Sequence, residues 1–259
     1  MSLANRSELL GLDFERVTTA GMVERCLAWC RGPRRSHIVV TANASHLCMM
    51  RSDDALRDAC QRADAAVADG MSVVWALRAL GRPVPERVAG IDLMTQLLEA
   101  GSRERLRVYF LGARRDVLDT LIAMCREKYP ELVIAGARDG YFGKELHESV
   151  ADEVARSTPH LLFIGMPTPF KDVWCQTHRD RLAVPVIIGV GGAFDVVAGF
   201  VKRAPRLAQV MGLEWAWRLM MEPRKLWKRY ATTNSQFIWL VGKELLARRL
   251  TGGGAGVTH

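Results

Sequence analysis

The 259-residue sequence is notable first for what it lacks. None of its six cysteines forms a Cys-x-x-Cys pair. That excludes Cys-x-x-Cys zinc and dithiol motifs, and no spacing among the six suggests a disulfide framework. Cys26 and Cys30 lie one helical turn apart, a spacing suited to packing, so the thiols read as reduced and the protein as cytoplasmic. No stretch reaches the ~18 apolar residues of a spanning helix. Nor does a charged n-region precede an apolar h-region, so a soluble or peripheral protein is expected, without a signal peptide. Asp-x-Asp, a common holder of a metal against a nucleotide diphosphate, is absent. Phosphate charge would then fall to Arg, Lys and backbone amides, and no metal or cofactor is expected. Internal repeats, coiled-coil heptads and recognised nucleic-acid modules are missing too, which ranks nucleic acid last among partners.

What is present is ordinary in bulk and uneven in layout. Hydrophobic residues make up 49% and charged residues 25%, enough for a full core. The excess of 36 basic over 28 acidic side chains gives +8, which favours an anionic partner: nucleic acid, acidic lipid or a phosphorylated small molecule. Near-continuous apolar runs at His37–Val40, Ala65–Ala68, Arg107–Gly112, Leu132–Ala135, Leu161–Gly165 and Val184–Val190 alternate with helical patterns near 52–62, 72–77, 116–129 and 145–156. This alternation predicts a Rossmann-like, doubly wound, mainly parallel α/β domain over residues 1–201. After Val201 the strands stop. Residues 202–250 read as a helical, basic, Trp-rich appendage, and 251–259 as a flexible tail. Trp among Lys and Arg on helices suits a membrane surface, with a solvated helical face as the alternative.

Several strand ends carry chemistry. Asp69 follows Ala66-Val-Ala68 and precedes Gly70, at the carboxyl edge where open α/β sheets bind ligands. It reads either as a general base in a partly apolar crevice or as the cap of the helix near Ser72. Thr41 and Asn43 offer sugar-binding groups or an Asx-type turn. Gly189, Gly191 and Gly192 lack the third glycine of a dinucleotide fingerprint, and fit a diphosphate at a helix start or a tight strand–helix turn. Arg87 could grip a phosphate or lie on the surface, and Asp92 looks like a helix cap.

Thr41-Ala-Asn43, Asp69-Gly70, Glu86-Arg-Val-Ala-Gly-Ile-Asp92-Leu, Asp139-Gly-Tyr-Phe142, Gly189-Val-Gly-Gly-Ala-Phe194-Asp195 and Val201-Lys-Arg-Ala-Pro205 occur in this order. With Gly212-Leu-Glu-Trp215 and Glu222-Pro-Arg224, the chain resembles the WecG/TagA/CpsF family of bacterial glycosyltransferases from about residue 37 to 230. The resemblance implies an inverting, metal-independent transferase. It would move a sugar from a UDP-sugar to a polyprenyl-diphosphate-linked sugar at the inner membrane face, in envelope or exopolysaccharide synthesis. By position it makes Asp69 the base and sets Thr41 and Asn43 in the sugar pocket. Arg87 and the 189–192 turn, with Asp92, Phe194 and Asp195 in the neighbouring blocks, fall on the donor side. Appendage residues Arg218, Lys225 and Lys228 would close over the departing UDP. Lys171 and Asp172 stand where the family commonly carries Gln-Glu. Lysine cannot accept a hydrogen bond from a sugar, so this loop is expected to meet its ligand differently. A UDP-hexose such as UDP-glucose therefore stands beside UDP-N-acetylmannosamine as donor.

The rival readings are a nicotinamide-dependent sugar-nucleotide oxidoreductase binding at 189–192, and a non-catalytic peripheral membrane module. Assembly into a homo-oligomer is compatible with all three.

Overall fold

The computed structural model describes residues 5–221 and 223–252. The chain opens on a hairpin, β1 (Arg6–Leu9) and β2 (Leu12–Glu15), then α1 (Thr19–Arg31). Next, β3 (His37–Ala42) leads through α2 (Ala44–Met50) and α3 (Asp54–Gln61) to β4 (Ala65–Ala68). Helices α4 (Met71–Ala79) and α5 (Gly90–Arg103) lead to β5 (Arg107–Gly112), and α6 (Arg115–Lys128) to β6 (Val133–Arg138). There follow α7 (His147–Arg156), β7 (Leu161–Gly165), α8 (Phe170–Thr177), α9 (Arg179–Leu182), β8 (Val186–Gly189) and α10 (Ala193–Val197). The chain continues through α11 (Arg206–Val210), α12 (Glu214–Met221) and α13 (Pro223–Gly252).

Six strands form one sheet in the order β4-β3-β8-β7-β5-β6, every pairing parallel. The strands are apolar on both faces because both are covered. Along β3, Ile38, Val40 and Ala42 join one core and Val39 the other; Leu162 and Ile164 of β7 oppose Leu161 and Phe163 in the same way. The first core is closed by α2, α4, α7 and α8, the second by α1, α5, α6 and α10. This is the doubly wound α/β fold expected from the strand–helix alternation.

Two features lie outside that expectation. The hairpin turns at Leu10 and Gly11, both with positive φ (51° and 84°), the backbone a two-residue hairpin turn requires. It packs Leu9, Leu12 and Phe14 into the first core beside β4. The C-terminal helix packs on the α/β domain: α13 lies on α2 and buries Phe237, Leu240 and Val241 in the same core. At about 25 cal/mol per Å² of apolar surface, each buried side chain of that size stabilises the contact by ~1.5–3 kcal/mol. The expected tail begins inside α13, which runs to Gly252, and its remainder, 253–259, lies outside the described residues.

Candidate active site

The register of the sheet brings the sequence-predicted residues together. Ala42 pairs with Ala68, so Asn43 and Asp69 leave adjacent strands side by side at the carboxyl edge, with the Asp69 amide donating to the Ala42 carbonyl at 2.9 Å. Asp69 does not cap the following helix. The cap of α4 is Gly70, without a side-chain bond, and Asp69 Oδ1 instead accepts from the Gly90 amide at 3.1 Å, at the first turn of α5. Among the described residues Oδ2 has no partner. The side chain is half-buried, and burial pushes its carboxyl up to about 7; Glu214 adds to that rise, while the Gly90 amide, Arg87 and Lys171 oppose it. A carboxyl balanced near neutrality, with one lone-pair face open, can take a proton from a hydroxyl.

Asn43 is exposed and caps α2, its Oδ1 accepting from the His46 amide at 3.2 Å, so the Asx-type reading holds for its oxygen. Its amide nitrogen has no partner among the described residues and remains able to donate. Thr41 is buried. Its hydroxyl donates to the Gly189 carbonyl at 2.8 Å, tying β3 to β8, and Gly90 packs against it. Thr41 thus holds the edge on which Asn43 and Asp69 stand.

The donor-side residues divide. Arg87, with its side chain 13% exposed, lies beside β4 because the Val88 amide donates to the Ala68 carbonyl at 2.9 Å. Its guanidinium bonds Glu214 and stands 3.8 Å from Asp92. Asp92 is no cap: it sits within the first turn of α5, whose cap is Ala89, and accepts from Arg203 at 2.6 Å. Gly191 adopts φ +55° with open space where a side chain would stand, and Gly192 is exposed. Yet the Gly191 and Ala193 amides already serve the Ile164 and Val190 carbonyls, and α10 is only 5 residues long. The turn presents less of an anion cradle than its glycines suggested. Phe194 is a core residue, fully buried, edge-on to Phe110, with its ring where a Gly165 Cβ would stand. Asp195 is half-buried, its carboxylate unpaired among the described residues. The side chains of Arg218, Lys225 and Lys228 lie outside the described residues.

Lys171 corrects the expectation most sharply. It is 4% exposed and points inward, its ammonium 2.6 Å from Asp172 and its stem filling the space a Gly189 side chain would need. It is in no position to meet a sugar directly. Asp172 also accepts from Thr168 at 2.9 Å and lies 3.6 Å from His46 Nε2, which is 3.3 Å from Cys60 Sγ. His46, Cys60 and Asp172 are the one group among the described residues with metal-ligand proximity. Burial lowers His46 to about 4 and raises Cys60 to about 12, so both are neutral, and Lys171 balances Asp172. The cluster satisfies itself and does not call for an ion.

Sequence reasoning gave no role to Gly112 and Gly165, which end β5 and β7, or to Tyr141 after β6. There Gly112 (φ +126°) runs so close to Gly165 that a Cβ would sit 2.6 Å from its carbonyl, and Gly140 packs onto Gly112. Beside these closely packed glycines Tyr141 stands 76% exposed on an Asx turn from Asp139. A glycine closing two of the apolar strand runs, Leu111-Gly112 and Ile164-Gly165, was the available signal.

Comparison with known proteins fits this geometry. Residues 7–251 match the model of the Glycosyl transferase WecG/TagA/CpsF family. A Bacillus spizizenii N-acetylglucosaminyldiphosphoundecaprenol N-acetyl-beta-D-mannosaminyltransferase is 38% identical over 167 residues, 64% of each chain. A Staphylococcus aureus protein of the same name is 31% identical over 229 residues, 88% of each chain. This sets aside the nicotinamide-dependent alternative: the chain is a glycosyltransferase and belongs to the WecG/TagA/CpsF family.

Proposed function

We propose that this enzyme transfers a sugar from a UDP-sugar to a hydroxyl of a polyprenyl-diphosphate-linked sugar, with inversion. The observation that carries the reading is Asp69: one oxygen held by the Gly90 amide, the other open at the carboxyl edge, and a carboxyl raised to about 7. Asp69 takes the acceptor proton as the acceptor oxygen bonds to the anomeric carbon, and the electron pair of the breaking bond leaves on UDP. Attack from the face opposite UDP inverts that carbon. The beta product in the relatives' names agrees, since common hexose nucleotides of this kind are alpha-linked. Asn43 orients the sugar through its free amide nitrogen, and Thr41 fixes the strand edge.

Arg87 serves the diphosphate, with Arg218, Lys225 and Lys228 completing the positive charge that a metal-independent transfer needs. Tyr141, exposed after the end of β6, gives the donor base a stacking platform. The relatives' names support N-acetylmannosamine as the sugar transferred and an N-acetylglucosaminyl diphosphate lipid as acceptor, so UDP-N-acetylmannosamine is the donor of this reading. UDP-glucose lost its main support when Lys171 proved to face inward.

No helix among the described residues is long and apolar enough to cross a membrane. Residues 202–250 nonetheless expose Leu207, Trp215, Met220, Trp227, Ile238, Trp239 and Leu246 among basic side chains, which suits docking on the cytoplasmic face of the inner membrane. The test of the catalytic assignment is Asp69→Asn: unchanged UDP affinity with turnover down by roughly 10²–10⁴-fold supports it, and normal turnover refutes it.

A further inference from the structure

Trp75 of α4 is 47% exposed, ~6 Å of helix rise beyond Met71, where α4 leaves the strand end that carries Asp69. The turn between α11 and α12 is seated on it. Gly212 there has φ +70°, and a Cβ at that position would stand 2.7 Å from the Trp75 ring and 2.8 Å from Met71 Cβ. Only a bare backbone approaches so closely. On either side of Gly212 in sequence, Met211 and Leu213 are exposed as well. Two residues beyond Gly212, Glu214 bonds Arg87 beside Asp69, so this apolar strip is continuous with the site. Arg78, three residues beyond Trp75 on α4, and Arg206, which opens α11, are exposed with no partner among the described residues. The framing cations and the chain's charge of +8 disfavour a second copy here and favour an anionic ligand with an apolar body. In-line displacement sets the acceptor and the departing UDP on opposite sides of the anomeric carbon. Tyr141, given above to the donor base, follows β6, at the far edge of the sheet from β4. The acceptor then approaches over the end of β4, where Asp69 and α4 stand.

We infer that Trp75, Met211 and Leu213 seat the first isoprene units of the acceptor's polyprenyl chain, with Arg78 and Arg206 answering its diphosphate. The inference rests on the functional reading above and deepens it, because it separates these side chains from those that meet the bilayer. A membrane contact would lend affinity for any acidic lipid surface. A seat for the chain discriminates in free solution, where no bilayer is present.

Calorimetric titration of farnesyl diphosphate into the full chain, with UDP saturating, probes the seat directly. Farnesyl diphosphate should bind about tenfold more tightly than inorganic diphosphate, the margin expected from laying an apolar chain on half-exposed side chains. Trp75→Gln should lose most of that margin, while UDP affinity and association with acidic liposomes stay as in the unaltered chain. Met211→Gln should lose a smaller part of it, and is the variant to rely on if Trp75→Gln does not fold. With undecaprenyl-diphosphate-N-acetylglucosamine as acceptor, both variants should raise KM and leave kcat within about twofold. Equal binding of farnesyl diphosphate and inorganic diphosphate would overturn the inference, as would variants that lose liposome association along with acceptor affinity. Either result leaves the transferase reading standing. An unaltered chain that binds no UDP would overturn both.

Discussion

Asp69 and Gly90, 21 positions apart in sequence, meet through a 3.1 Å hydrogen bond from the Gly90 amide to the Asp69 carboxylate. The bond orients the candidate base against the first turn of α5 and stabilises its charged form, while burial works the other way and wins. The resulting carboxyl, at about 7, has direct consequences for activity and stability.

The base works only as a carboxylate, so kcat/KM should rise with pH and level off above about 7. An ordinary aspartate would put that limb near 4. A pH profile with saturating acceptor checks this, and activity flat from pH 5 to 8 would remove Asp69 from the proton transfer.

The same shift acts on folding. Because the folded-state carboxyl lies above its unfolded value, the stabilising contribution is full below about 4 and is lost as pH rises through about 7. At pH 8 the ionised Asp69 is therefore a liability, and Asp69→Asn should raise Tm by several degrees. At pH 4 the gain should vanish. Thermal melts of both proteins at the two pH values decide it.

The two faces of α13 should separate stability from membrane docking. Phe237 and Leu240 are buried against α2, so Phe237→Ala should cost ~3–5 kcal/mol in denaturant unfolding. Ile238 and Trp239, 71% and 59% exposed, should tolerate change to Ser with little loss of stability but weakened association with acidic liposomes. Unchanged liposome binding would dissociate this face from the membrane.

Lys171→Met removes one partner of a buried ion pair and leaves Asp172 unbalanced, which should cost ~3–5 kcal/mol. The ratio of rates between UDP-glucose and UDP-N-acetylmannosamine should stay as it is in the unaltered chain. A changed ratio at normal stability would return Lys171 to the sugar pocket.

Much of this was legible in the sequence, because apolar strand runs and the polar residue ending each one are local signals. The placement of Asp69 and Asn43 side by side followed from that, since a parallel sheet sets its strand ends on one edge. Lys171 and Phe194 were misplaced because adjacency in sequence to a strand end does not tell which way a helix residue turns. Lys171 turns in toward Asp172, and Phe194 packs under Gly165. Glu214 and Arg203 could not be paired with Arg87 and Asp92, because those contacts span 127 and 111 residues and depend on how the chain after α10 returns to the edge. The role of α13 was hidden for a similar reason: its apolar face is short and lies among basic residues.

The most direct test of the central claim is UDP release. The full chain would be incubated in EDTA with detergent-solubilised polyprenyl-diphosphate-N-acetylglucosamine or -glucose and a panel of UDP-sugars. The account predicts acceptor-dependent release with UDP-N-acetylmannosamine as the preferred donor. No release with any donor from folded protein, or release that EDTA abolishes, would contradict it.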